Sequence, residues 1–175
     1  MTYLGILLRL LMDRLGVEPE LRTFRDRLLL QKGVYLLQEC GMSTGFSYNW
    51  YLRGPYSPGL TEAAFEQAVK PALQGDNTAD GYSLSDAAEE RLNKLARMKA
   101  AGEGAGLAPE RWLELLASMH FYRYRMYFRP EESARRDDPA WLYERFPTAK
   151  KNTFTIDQAQ RAAAVLADVG LWQDR

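Results

Sequence analysis

Apolar residues recur at three- and four-residue spacing over several long stretches of the chain, and this spacing is typical of amphipathic α-helices. The first stretch places leucines and Met12 on one face, with Arg9, Asp13 and Arg14 on the other. Breakers such as Gly16, Gly41 and Pro130 separate the stretches. The pattern predicts helices at about residues 3–15, 22–39, 58–73, 85–99 and 109–128, a short helix at 141–146 and a final helix at 157–169. Ser57, followed by Pro58, is the predicted N-cap of the third helix.

A different pattern, with a period of two, occupies the segment between the second and third helices. Phe46, Tyr48, Trp50 and Leu52 alternate with polar residues or Tyr51, which predicts a half-buried strand that stops at Gly54-Pro55. Residues 82–84 predict a second, short strand. The predicted fold class is therefore mainly α: a compact helical domain with a minimal two-strand β element, a winged-helix-like core and additional C-terminal helices.

The glycine- and alanine-rich segment that begins at Ala100, AAGEGAGLA, is the best internal boundary and predicts a flexible hinge. It divides the chain into a core at residues 1–100, which includes the N-terminal helix, and a C-terminal helical subdomain at residues 101–175. We expect the subdomain to pack on the core as one globular unit.

Composition limits the classes of function. Lys plus Arg equals Asp plus Glu at 23 each, so no whole-chain field attracts a polyanion. A single cysteine, Cys40, predicts a reducing compartment, with the cytoplasm as the expected location. No apolar run approaches the roughly 20 residues of a membrane span, so we expect no membrane partner.

The residues that most enzymes depend on are scarce here. The one histidine, His120, lies inside a strongly apolar helix, where a structural role is more common than a catalytic one. Cys40 has no accompanying base, which favours a small apolar residue over a nucleophile. No phosphate-binding glycine loop or dinucleotide motif occurs. We therefore predict a protein that is not an enzyme and has no cofactor, no metal site and no catalytic residues.

Two surfaces are candidates for binding. The first is a groove between the second helix and the GPYSP turn, and it is predicted to contact a partner protein. Its residues are polar or aromatic: Gln31, Lys32, Tyr35, Gln38, Arg53, Tyr56 and Ser57. Trp50, nearby, fits the core and the contact surface equally well.

The second candidate surface is the segment HFYRYRMYFR, which belongs to the alternative function, a winged-helix-like regulator that binds nucleic acid. Arg123, Arg125 and Arg129 alternate there with tyrosines, and arginine with aromatic side chains can hold single strands. A solvated helix face with aromatic residues in the core is the simpler interpretation of the same pattern.

The stretch LQKGVYLLQECG, followed by YNWYLRGPYSPGL, resembles the YwgA-like family and, more distantly, the Panacea (SocA-like) antitoxin domain. It is also similar to the C-terminal module of DNA ADP-ribosyl glycohydrolase antitoxins. YSLSDAAEERL and the segments LELLASMHFYRY and FPTAKKNTFTIDQAQRAAAVL resemble later parts of the YwgA type. Ser57-Pro58 departs from the Panacea pattern, which usually has a valine-type residue there.

The resemblance implies a prokaryotic or phage regulator that is not an enzyme and acts by binding another protein. The expected roles are an antitoxin, a proteolytic adaptor or an accessory of phage defence or anti-defence. The partner would be a toxin, a nuclease or a defence component. A homodimer is a further expectation from the residues, because the apolar stripe of the N-terminal helix could pair across a two-fold axis.

Overall fold

The computed structural model describes residues 1–173, and over these residues the chain is mainly helical with one two-stranded antiparallel sheet. The prediction of a mainly α fold with a minimal two-strand β element is thus confirmed. The helices are α1 (Tyr3–Leu15), α2 (Phe24–Glu39), α3 (Pro58–Ala63), α4 (Lys70–Leu73), α5 (Asp86–Ala100), α6 (Pro109–Arg125), α7 (Pro130–Ser133), α8 (Pro139–Glu144), α9 (Thr148–Lys151) and α10 (Ile156–Asp168). The strands are β1 (Asn49–Tyr51) and β2 (Gly54–Tyr56). A π-helical segment (Ala64–Val69) joins α3 to α4, and a 3₁₀ turn (Thr78–Gly81) precedes α5.

Several helices begin where a hydroxyl side chain can accept a backbone N–H. Thr2, Thr23, Ser57 and Thr155 cap α1, α2, α3 and α10 in this way. Ser57 therefore has the N-cap role that the sequence predicts, with Pro58 at the first helical position.

The chain forms two compact units, each built from two segments. The first unit contains residues 1–48 and 56–95, and the second contains residues 49–55 and 96–175. The longer segment of the second unit begins at Ala96, four residues before the boundary that the sequence predicts at residue 100. Its inclusion of residues 49–55 is a feature that the sequence does not indicate.

In the first unit, α1 packs against the π-helical segment and against α2. Gly5 lies directly on the Gln67 carbonyl, where a β-carbon would not fit, and Gly33 on α2 lies against Leu15 in the same manner. These two glycines let the helices approach closely. Leucines from α1, α2 and α3 fill the core of this unit: Leu8, Leu11, Leu29, Leu36, Leu37 and Leu60.

The prediction of a second strand at residues 82–84 is wrong. Residues 82–84 have no regular structure, and Tyr82 is exposed. The partner of β1 is instead β2, because Gly54 has a φ of +80° and lets the chain turn back directly after residue 53. Gly54-Pro55 thus reverses the chain into a hairpin, where the sequence suggested a stop.

In the second unit, α6 is the central helix. Its residues 112–123 are buried, and α8 and α10 pack against it. α6 ends at Arg125, three residues earlier than the sequence predicts.

The predicted hinge after Ala100 is a series of turns held by α10. The Arg161 guanidinium donates to the carbonyls of Ala101 and Glu103, at 2.7 and 2.8 Å, and Gln158 donates to the Ala105 carbonyl at 2.8 Å. Gly102 is buried against the Trp112 indole. These contacts are not those of a flexible linker.

Among residues 1–173, no helix is both long and apolar enough to cross a membrane.

Candidate functional site

Gln31 and Ser57, two of the predicted partner-binding residues, bind each other inside the first unit. The Gln31 amide donates to the Ser57 carbonyl at 2.8 Å and accepts from the Ser57 backbone N–H at 2.9 Å. The same amide donates to Thr61. Both residues are buried, so the prediction that they contact a partner is corrected: they fasten the start of α3 to α2.

Lys32 and Tyr35 require the same correction. Each is only 1% exposed, which places both side chains beyond the reach of a protein that binds the folded surface. The Tyr35 ring packs edge-on against Tyr48, with 5.0 Å between the ring centroids. A leucine-rich helix thus carries its polar side chains into the interior.

Gln38 and Tyr56 are half-buried, and both stabilise local structure. The Gln38 amide donates to the Phe46 carbonyl at 2.9 Å and accepts from the Phe46 N–H and the Thr44 hydroxyl. The Tyr56 hydroxyl is hydrogen-bonded to Thr61 at 2.9 Å. Contact of these two residues with a partner stays a prediction. Arg53, the seventh predicted residue, belongs to the second unit, whereas the other six belong to the first.

Within the second unit, the β1–β2 hairpin is anchored by Trp50. Its ring lies 4.7 Å from Tyr122, 5.9 Å from Phe146 and 6.0 Å from Phe121, measured between centroids. Such tilted and edge-on aromatic pairs stabilise a contact beyond simple burial. Trp50, which the sequence left undecided, therefore has a structural role at the base of the hairpin.

Gly54 makes the second anchor. It is buried, and a β-carbon at this position would overlap the Ser118 hydroxyl on α6. Pro55, the next residue, is also buried. Because only a glycine fits, the hairpin backbone can lie directly on the helix.

A buried charge cluster lies beside these anchors. The Glu114 carboxylate on α6 is fully buried and accepts from the Lys150 ammonium with one oxygen and from the Arg111 guanidinium with the other. Arg53 of the hairpin approaches the same carboxylate at 3.9 Å. Burial lowers the pKa of Lys150 to about 8; Glu114 opposes this shift, and Arg111 and Arg53 add to it.

Beyond these anchors, the turn of the hairpin is exposed. We call Tyr51, Leu52 and Arg53 the hairpin tip: Tyr51 is 50% exposed, Leu52 is 73% exposed and the Arg53 side chain is 42% exposed. The predicted contact residues include neither Tyr51 nor Leu52. Strand alternation grouped Leu52 with Trp50 on the inner face, but the chain turns at residues 52–53 and the alternation ends there.

The candidate nucleophile and base lie in unfavourable positions for chemistry. His120 is fully buried on α6, with its ring 4.7 Å from the Tyr124 ring. Burial raises the pKa of the Cys40 thiol to about 11, although the nearby Lys94 acts in the opposite direction. A reactive cysteine requires the opposite shift.

Among residues 1–173, no three His, Cys, Asp or Glu side chains are grouped so as to hold a metal ion.

Arg123, the first of the predicted nucleic-acid-binding arginines, is 3% exposed. Its guanidinium is paired with Asp137 and stacks 4.7 Å from the rings of both Tyr124 and Trp172. Its assignment to a contact surface is corrected for this reason. Arg125 and Arg129 are exposed, as that prediction requires.

Comparison with known proteins found no family model, no curated protein and no solved structure that matches the chain. The resemblance to the YwgA-like and Panacea families stays a prediction from the sequence stretches that carry it.

Proposed function

We propose that this chain is a regulator without enzymatic activity that acts by binding another protein, and that the hairpin tip forms the centre of the contact. The observation that supports the proposal is the exposure of Tyr51 and Leu52 on a hairpin whose base is anchored by Trp50 and Gly54. Large exposed side chains on a fixed scaffold lose little entropy on binding.

The tip alone is smaller than a stable interface, which buries about 800 Å² on each partner. We therefore propose that it supplies the residues with the largest energetic contribution and that neighbouring surface supplies the remaining area. The resemblance of the stretch that contains the hairpin to YwgA-like and Panacea domains suggests the setting. The proposed partner is a toxin, a nuclease or a phage-defence component of a prokaryotic or phage cytoplasm.

Co-purification with the products of neighbouring genes tests this proposal. The tagged chain is co-expressed with each product, and capture is compared with that by the double variant Tyr51→Ser, Leu52→Ser. We expect the tip variant to lose binding by about 100-fold or more, the effect of two central interface residues. The double variant Tyr82→Ser, Leu73→Ser is the matched control, because these residues have similar exposure and lie outside the tip. Equal capture by the tip variant and the unmodified chain would contradict the proposal.

A second function, nucleic-acid binding, has one observation in its favour. Arg125 and Arg129 are exposed, and Tyr127 between them is 85% exposed, a combination that suits backbone contacts and base stacking. A gel shift with single-stranded and duplex DNA separates the two functions. Binding that weakens steeply with salt and is lost in Arg125→Glu, Arg129→Glu would favour this alternative.

A further inference from the structure

Most of the apolar stripe that the sequence predicts on α1 is used inside the first unit. Leu8, Leu11, Met12 and Leu15 are each at most 2% exposed, so a second copy of the chain has no access to them in the folded state. Self-association through α1 therefore has to use the side of the helix that faces away from the core.

The outward side of α1 carries four residues that we call the outer stripe: Tyr3, Leu7, Leu10 and Arg14. They are separated by intervals of four, three and four residues, which align side chains along one face of a helix and form the seam of a coiled coil. Tyr3 is 81% exposed, Leu7 and Leu10 are half-buried, and the Arg14 side chain is 49% exposed. The outer stripe is thus accessible from solvent along its length.

The order of these intervals favours pairing of α1 with a second copy of itself. The series four, three, four is the same in both directions, so two antiparallel copies of α1 align their stripes about a two-fold axis between Leu7 and Leu10. In such a pair Leu7 of one copy faces Leu10 of the other, and Tyr3 faces Arg14. Each contact then occurs twice, as an isologous interface requires.

The charges on α1 are compatible with this antiparallel arrangement. Arg14 lies level with Tyr3 of the second copy, and a guanidinium is attracted to the face of an aromatic ring. Asp13 lies level with Leu4, so like charges do not meet. Arg14 also pairs with Glu89 of its own chain. Because acidic and basic residues are equal in number over the whole chain, two copies have no net charge with which to repel each other.

The segment next to the outer stripe adds exposed area at one edge. The 3₁₀ turn (Thr78–Gly81) packs against α1, and Glu89 of α5 pairs with Arg14, so the chain between them runs beside the helix. Tyr82, in this part of the chain, is 54% exposed. A helix of 13 residues is about 20 Å long and about 10 Å wide, so even with Tyr82 the face is smaller than the roughly 800 Å² that each partner buries in a stable complex. A dimer through this face is therefore expected to be weak.

We propose that two copies of this chain associate about a two-fold axis through antiparallel pairing of their α1 helices along the outer stripe. This inference goes beyond the proposed function, because the outer stripe belongs to the first unit and the hairpin tip to the second.

Sedimentation velocity of the full chain tests the inference. We expect the mass to rise from monomer to dimer as the concentration increases from about 1 to 300 µM, with a dissociation constant of about 10–100 µM. A mass that stays that of the monomer over this range would overturn the inference.

Leu10→Glu should weaken the dimer about 100-fold or more, because the two-fold axis places the new charge on the apolar seam twice. Ile156→Glu is the matched control, because it makes the same kind of change at a helical residue of the second unit that is 38% exposed, and it should leave the dissociation constant unchanged. Far-UV circular dichroism checks that both variants fold.

Two substitutions of Tyr3 test the direction of the helices without disturbing the core. Tyr3→Lys sets a lysine against Arg14 of the second copy and should weaken the dimer about tenfold, whereas Tyr3→Glu sets a carboxylate there and should preserve or strengthen it. In a parallel pair, residue 3 would meet its own equivalent and both substitutions would weaken the dimer. Tyr127→Lys is the control for the first variant, because Tyr127 is 85% exposed and lies outside the first unit.

The remaining outcomes also decide the inference. A dimer that tolerates both Leu10→Glu and Tyr3→Lys would overturn it, as would equal weakening by Tyr3→Lys and Tyr3→Glu. A dimer that is lost in Leu52→Glu and retained in Leu10→Glu would assign self-association to the hairpin tip in place of α1. A monomeric Leu10→Glu variant that still captures the partner protein would support the inference and leave the proposed function in place.

Discussion

Gly54 passes Ser118 so closely that a β-carbon on Gly54 would lie less than 3.0 Å from the Ser118 hydroxyl oxygen. The same glycine has a φ of +80°, a conformation that other residues adopt only at a cost. The position of the hairpin on α6 therefore depends on the absence of a side chain at one residue.

Gly54→Ala should lower the free energy of unfolding through two separable effects. The positive φ costs about 1–2 kcal/mol, and the overlap with Ser118 adds about 1–3 kcal/mol. Chemical denaturation measures the total. Gly104→Ala is the matched control, because Gly104 has a φ of +77° and no atom within 4 Å of its β-carbon position, so only the first effect should appear. Adding Ser118→Ala to Gly54→Ala should recover part of the second effect, and strict additivity of the two changes would contradict the close contact.

Glu114→Gln should destabilise the second unit strongly, by about 3–5 kcal/mol, because it leaves the buried Lys150 ammonium without its counter-ion. Lys150→Met should cost less, since Glu114 keeps its pair with Arg111. Urea unfolding of the two variants gives the comparison, with Glu103→Gln as an exposed control. A smaller loss for Glu114→Gln than for Lys150→Met would mean that the cluster is not organised around the carboxylate.

The free energy of unfolding should depend on pH in part because Lys150 has a different pKa in the folded and unfolded chains. Its pKa is lowered from 10.5 to about 8, chiefly by burial, so the folded chain releases this proton at a lower pH than the unfolded chain does. Between about pH 8 and pH 10.5 the unfolded state binds more protons, and the contribution of this group to stability rises with pH. The slope is at most about 1.4 kcal/mol per pH unit.

The difference in unfolding free energy between the unmodified chain and Lys150→Met isolates this effect. Cys40 and Tyr48 have raised pKa values that act in the opposite direction at alkaline pH, but both chains carry them and their effects cancel. A difference that stays flat across this pH range would show that Lys150 titrates normally.

Cys40 should react slowly with iodoacetamide in the folded chain. Raising its pKa from 9.0 to about 11 lowers the thiolate fraction at pH 8 by about 100-fold relative to the unfolded chain. Mass spectrometry of labelling with and without denaturant measures the ratio. Comparable rates in the two states would indicate a reactive thiol and would revive the nucleophile hypothesis.

The turns after Ala100 should become sensitive to protease when their contacts with α10 are removed. Arg161→Ala with Gln158→Ala deletes the side-chain donors to the carbonyls of Ala101, Glu103 and Ala105. Cleavage after Glu103 by a glutamyl protease should then become several-fold faster, because the opening free energy of a segment follows the contacts that hold it. Gln160→Ala, at an exposed position of the same helix, should have no effect.

The sequence predicted most of the helices because the relevant signals are local. Apolar periodicity located α1, α2 and α6, and the Ser57-Pro58 pair located the start of α3. These features depend on residues within a few positions of one another. The prediction of a strand at residues 82–84 was wrong because three residues of alternating pattern do not specify which strand they pair with. The actual pairing of β1 with β2 depends on the turn at Gly54, whose φ is positive.

The candidate site was harder to predict because its determinants are distant in sequence. From the sequence, Gln31 is expected at the surface because its amide is polar. In the structure the Ser57 backbone forms hydrogen bonds with this amide, and these bonds allow Gln31 to be buried. The sequence around Glu114 does not indicate that Lys150, which lies on α9, is its ion-pair partner. Of the seven predicted contact residues, Arg53 alone lies in the hairpin tip, and its two exposed neighbours, Tyr51 and Leu52, are not among the seven.

The division of each unit into two chain segments has a consequence for synthesis on the ribosome. Trp50 and Gly54 emerge well before α6 and Phe146, the residues on which they pack. At a synthesis rate of about 5–20 residues per second, Phe146 is added roughly 5–20 s after Trp50. During that interval Trp50 lacks Phe121, Tyr122 and Phe146, the rings on which it packs in the folded chain, and a fragment that ends near residue 100 would lack them permanently.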